Sequence, residues 1–97
     1  MNRPPPHEGF QEPDGVHLAT ISHEGRFWEV HLIFDDTPGR SEWHRAHLMF
    51  TPADGVEGEG PYRTTTLFIE DSYEGLMRKA RGFQDRQLQA LLRSVLP

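Results

Sequence analysis

Val16-His17-Leu18-Ala19-Thr20-Ile21-Ser22 and Arg26-Phe27-Trp28-Glu29-Val30-His31-Leu32-Ile33-Phe34, joined by His23-Glu24-Gly25, decide how this chain is built. Both runs are rich in β-branched and aromatic residues and alternate with period two, which predicts a pair of strands around a tight turn. A two-residue type I′ turn would need φ > 0 at Glu24, a conformation that a side chain resists. The reading therefore favours a three-residue loop with Gly25 in the left-handed position. That loop pairs Ser22 with Arg26, Thr20 with Trp28, Leu18 with Val30 and Val16 with Leu32. One face then carries Val16, Leu18, Trp28, Val30, Leu32 and Phe34. The other carries His17, Ala19, Ile21, Phe27, Glu29, His31 and Ile33.

Downstream, Asp35–Arg40 is a turn by composition, and Glu42–Phe50 reads as a third strand. Ala46, Leu48 and Phe50 are its core positions; Trp43, Arg45, His47 and Met49 face the other way. Residues 51–60 form an acidic, Gly-rich loop, and Tyr62–Ile69 is a fourth strand with the β-branched content strands prefer. The period changes at Asp71-Ser72-Tyr73-Glu74, where Asp71 has capping-box spacing to Glu74. Tyr73, Leu76, Met77 and Ala80 make an apolar helical stripe, which Leu88, Leu91, Leu92 and Val95 resume beyond Gly82. Either one kinked helix or two helices fits; two are preferred, with Asp85 capping the second. The expected fold is α+β: a four-stranded antiparallel meander followed by a C-terminal helical segment. That segment covers the Trp28, Val30, Leu32, Leu48 and Leu67 face, because an antiparallel sheet needs one face covered.

Upstream, residues 1–15 hold Pro4, Pro5, Pro6, Pro13 and several acids, with little to bury, and are expected to be an extended or disordered lead-in to one domain over 16–97. The 97 residues suit a single domain. Without cysteine the chain has no disulfide scaffold, thiolate-bound zinc or thiol nucleophile. No apolar run reaches the length of a membrane helix, and no secretory signal is evident, so a cytoplasmic location is expected. Nine Arg against one Lys fits either a GC-rich genome or a salty cytoplasm. Residues 1–70 hold twelve acids and five bases, residues 71–97 three acids and five bases, and the net charge is −5. That balance argues against a nucleic-acid binder working through a broad basic surface. The basic tail reads as a helix face with cations toward its C-terminal end.

No P-loop, GxGxxG, GxSxG, HExxH or EF-hand spacing is present, and no cofactor is implied. Histidines form one constellation. The chosen register sets His17 opposite His31. If His47 also faced His31, three imidazoles would lie in a row beside Glu29, on strands about 4.8 Å apart, as zinc or iron(II) ligation requires. Such histidines on a sheet also need no metal.

The face away from the helices is the second feature. Ile21, Phe27, Ile33, Trp43, Met49, Tyr62 and Phe68 would share it with His31, Arg45 and His47. That is too apolar for a sheet in bulk water, and such patches mark partners. Cover by the N-terminal segment or the second helix is the plainer alternative. The layout also resembles that of Whirly-type single-stranded nucleic-acid binders, without a shared motif. That resemblance implies a sheet face on which Phe27, Trp43 and Tyr62 interleave with Arg45 and Arg63. Taken together, the residues favour a small non-enzymatic binding or regulatory module that pairs through this face with a second copy or another protein. A single-stranded nucleic-acid binder and a His-ligated metal enzyme are the alternatives.

Overall fold

A computed structural model describes residues 15–35, 43–55 and 58–97. Residues 1–14 of the expected lead-in, most of the turn between the second and third strands and Glu42 lie outside the described residues, while Gly15, the last residue of that lead-in, opens the first strand. The described elements are β1 (Gly15–His23), β2 (Arg26–Phe34), β3 (His44–Pro52), β4 (Tyr62–Arg63), β5 (Phe68–Glu70), α1 (Tyr73–Arg81) and α2 (Asp85–Val95). The strands form one antiparallel sheet in meander order, with β4 and β5 both on the outer edge of β3. The helices pack on one face, so the architecture is α+β as the periodicity indicated.

The first hairpin corrects the expected turn. His23 pairs with Arg26 across a two-residue loop, and both loop residues are left-handed, Glu24 at φ 52° and Gly25 at φ 82°. A non-glycine in that region costs about 1–2 kcal/mol. In return the shorter loop sets Ile21 opposite Trp28. Ile21 is thereby moved from the open face into the core, where it is 1% exposed. Burying an Ile side chain is worth about 1.5–3 kcal/mol, enough to offset the strained turn.

Farther from the turn the ladder slips back. Between His17 and Ala19 the register shifts, leaving Leu18 as an extra residue in a β-bulge. Beyond it His17 pairs with His31 and Val16 with Leu32, as expected. Leu18 and Ala19 both pack against the core.

β2 and β3 pair with Val30 opposite Phe50 and Leu32 opposite Leu48. The fourth strand is divided rather than continuous. Met49 pairs with Arg63, but four residues back along β3 Arg45 pairs with Ile69, so the outer strand carries two extra residues between these points. Thr64 absorbs the irregularity: its N–H donates to Leu48 O at 3.0 Å, and its Oγ1 accepts from Leu48 N at 3.1 Å. Because the excess is two, the facing of the strand is preserved across the break.

Ser72, rather than Asp71, caps α1, its Oγ accepting from Gly75 N at 2.9 Å. Gly82 ends that helix, so the helical segment is two helices. Gln84, not Asp85, is the cap of α2, and its N–H donates to Gln87 Oε1 at 2.7 Å. α1 packs against β5 and β3, and α2 against β1 and β4. The covered face buries Trp28, Val30, Leu32, Ala46, Leu48 and Phe50 under Leu76, Ala80, Leu88 and Leu92. Leu67 is not part of that face; it is exposed, and Phe68 is buried instead, with its ring 5.5 Å from Phe83. At the free edge of the sheet, Gln89 Nε2 donates to Ser22 O at 2.8 Å, which occupies part of the edge a foreign strand would use. Among the described residues no helix is long and apolar enough to cross a membrane.

Candidate functional site: the sheet face opposite the helices

Alternation along β2 and β3 sends Phe27, Glu29, His31 and Ile33, and Arg45, His47, Met49 and Thr51, away from the helices. Register then arranges them in rows. Ser22 and Phe27 lie at the level of Ala53, whose N–H donates to Phe27 O at 2.9 Å. Thr20, Glu29 and Thr51 form the next row; His17, His31, Met49 and Arg63 the one after; then Gly15, Ile33 and His47. Arg45 lies beside Ile69, with Asp35 N donating to Arg45 O at 2.8 Å. Trp43 stands one step beyond.

Two of the residues expected here belong to the other side. Phe68 is buried in the core, and Tyr62 packs on the helix side, its ring 6.0 Å from Trp28. Losing Tyr62 also removes one of the three aromatics from the interleaved set that nucleic-acid stacking would use, while Arg63 does lie on the face beside Met49. Ile33 and Met49 are on the face but only 8% and 5% exposed. The large exposed side chains are at its two ends: Phe27 at one, 63% exposed, and Trp43 and Ile69 at the other, 50% and 51%. α2 does not cover this face, and the N-terminal segment, the other cover considered, lies outside the described residues.

The middle of the face is a polar network built on two histidine–carboxylate pairs. His17 Nε2 is 2.6 Å from Glu29 Oε1, to which Thr20 Oγ1 also donates at 2.7 Å. Those two contacts, Thr20's first, hold the Glu29 carboxyl below the usual range. On the other pair, His47 Nδ1 is 2.7 Å from Asp35 Oδ1, and Thr66 Oγ1 donates to Asp35 Oδ2 at 3.2 Å. Arg63 Nη1 sits 3.3 Å from His47 Nε2. His31 lies between the pairs, its ring 5.2 Å from that of His17, edge to face.

The three-histidine row is corrected by this register. His31 faces Met49 and His47 faces Ile33, so His47 is displaced by two residues from the position a shared metal would need. Among the described residues no three His, Asp or Glu side chains are grouped to hold a metal ion. His17 and Glu29 do meet, as neighbours rather than as ligands. Asp35 was read as turn residue alone; its place at the very end of the second strand, level with a histidine-bearing strand, was the signal available.

A second cluster escaped the sequence reading altogether. Beside the hairpin turn, Arg26 donates through Nη1 to Glu59 at 2.6 Å and through Nη2 to Asp54 at 2.8 Å, with its guanidinium 5.2 Å from the Trp28 ring centre. Glu59 and Asp54, in that order, keep the guanidinium protonated, and Arg26 in turn holds the Glu59 carboxyl low. Arg26, Trp28 and Glu59 line a cleft of about 320 Å³ with His23, Glu24, Tyr62, Leu96 and Pro97. The carboxylates are spent on Arg26, and Arg26 covers the indole, so the cluster reads as a brace tying the turn to the loop after β3.

Comparison with protein-family models, curated proteins and solved structures finds no match to this chain. The likeness to the Whirly-type layout thus rests on the order of strands and helices alone.

Proposed function

We propose that this chain is a small non-enzymatic protein-binding module that associates with a second copy of itself through the sheet face opposite the helices, in the cytoplasm. The observation that carries the reading is the exposure of Phe27, Trp43 and Ile69 on a face that the chain's own helices do not cover. Large exposed apolar side chains, Phe27 and Ile69 on strands and Trp43 just before β3, are anchors of the kind that interfaces favour. His47, in the middle of the face, gives little support to a catalytic reading. A general base needs a free ring nitrogen aimed at substrate, and at His47 both nitrogens are engaged, by Asp35 and Arg63.

The two tryptophans make an internal test. Trp28 is buried under the helices, and Trp43 is half exposed on the proposed contact surface. In a dilution series followed by NMR, the Trp43 indole N–H resonance should move with concentration while that of Trp28 stays fixed. A Trp43 resonance unmoved up to millimolar concentration would overturn self-association through this face.

A further inference from the structure

We propose that acid loosens this self-association through a switch at His47, whose protonation turns the Arg63 guanidinium away from the ring. The proposal rests on the self-association reading and adds its regulation.

Hydrogen-bond direction makes His47 the sensitive group. A guanidinium can only donate, so Arg63 Nη1, 3.3 Å from His47 Nε2, requires that nitrogen to accept. The ring proton is then on Nδ1, which donates to Asp35 Oδ1 at 2.7 Å. Thr66 Oγ1 donates to the other carboxylate oxygen at 3.2 Å. Arg63, His47 and Asp35 thus form a chain in which a neutral ring separates a cation from an anion. Across the ladder His47 faces Ile33, and along β3 its neighbours on the face are Met49, level with His31, and Arg45. The Glu29 carboxylate is two rows away, level with Thr51, and is held by His17 and Thr20.

A second proton on the His47 ring goes to Nε2. It leaves the bond to Asp35 in place, but it removes the acceptor that Arg63 uses and sets two cations against each other. Arg63 is exposed, whereas His47 and Asp35 are mostly enclosed, so the arginine is the group that moves. The cluster passes from balanced to cationic. His17 behaves in the opposite sense: its proton is met by Glu29, 2.6 Å away, and that pair passes from anionic to balanced. Two copies meeting through the same face undergo the same change, so a proton at His47 sets like charge against like.

Sedimentation equilibrium gives the first measure. Between about pH 7.5 and 5.5, where histidine side chains ordinarily titrate, association of the unmodified chain should weaken about tenfold. His47→Gln should hold its association within about threefold over that range, and His17→Gln should weaken as the unmodified chain does. The second measure needs no variant. At neutral pH the ring nitrogen shifts of His47 should show the proton on Nδ1, and nuclear Overhauser contacts should join Arg63 to the ring and disappear in acid. A ring protonated on Nε2 at neutral pH, contacts that survive in acid, association that holds in acid, or a His47→Gln chain that loosens like its parent would overturn the switch while leaving self-association standing. A monomer by mass at every pH would remove both.

Discussion

The two faces of this sheet are made from the same alternating strands, yet they are organised differently. On the helix side Val30, Leu32, Leu48 and Phe50 are all fully buried, a continuous apolar layer with no polar side chain among the buried residues described. On the other side the apolar anchors stand at the two ends, and the middle is given to His17, Glu29, His47, Asp35 and their threonines. The first face holds the fold together. The second is polar in its middle, where two histidine–carboxylate pairs lie between the exposed apolar side chains of its ends.

Substitutions can test that division of labour, and the largest effect belongs to the covered face. Leu48→Ala should cost about 2–5 kcal/mol in denaturant unfolding, since the site is fully enclosed. Phe27→Ala, the same kind of truncation on the open face, should cost less than about 0.5 kcal/mol in the dilute chain. Comparable losses at the two would break the comparison.

The bulge offers a subtler probe. Because Leu18 is one residue inserted into an otherwise regular ladder, its deletion should leave His17 opposite His31 and both faces intact. The expected cost is about 1–2 kcal/mol, from its lost packing, and nuclear Overhauser contacts between the two imidazoles would verify the retained pairing. If deletion exchanges the faces of β1, the bulge is not what sets them.

Glu24→Asn bears on the turn that places Ile21 with the core. Asn accepts the left-handed conformation better than Glu, so stability should rise by about 0.5–1 kcal/mol. The smallest effect concerns the polar middle. Glu29 is held below its ordinary pKa, so its contribution to stability is present above the ordinary carboxylate range and is lost as pH falls through the lowered folded-state value. Thr20→Val removes the leading cause. The Glu29 titration followed by carboxyl NMR should move up toward the ordinary value. The variant's stability deficit at neutral pH should vanish once the carboxyl is protonated in both chains.

Much of this was legible beforehand, and what was not has a common physical source. Period-two alternation marks faces, so the Trp28, Val30, Leu32, Leu48 and Phe50 layer was readable without any register. It is blind to slips of two residues, which leave every side chain on its side. That is why His47 could be expected opposite His31 and yet stands opposite Ile33, and why the break between Arg63 and Phe68 went unseen. Odd-numbered errors were the costlier ones. The turn at Glu24-Gly25 and the bulge at Leu18 are each one residue away from the expected ladder, in compensating directions. The Val16 and His17 pairings therefore came out as expected, while Ile21 changed faces. At the site, the His17–His31 contact was readable from local pairing. The Asp35–His47 and Arg26–Glu59 contacts needed separations that no local pattern reports.

Sedimentation equilibrium of the full chain, alongside Trp43→Glu, tests the central claim most directly. The account predicts that the unmodified chain approaches twice 11.2 kDa as concentration rises, and that Trp43→Glu, folded by circular dichroism, stays at the monomer mass. A monomer at every concentration, or a Trp43→Glu variant that dimerises as well as its parent, would contradict it.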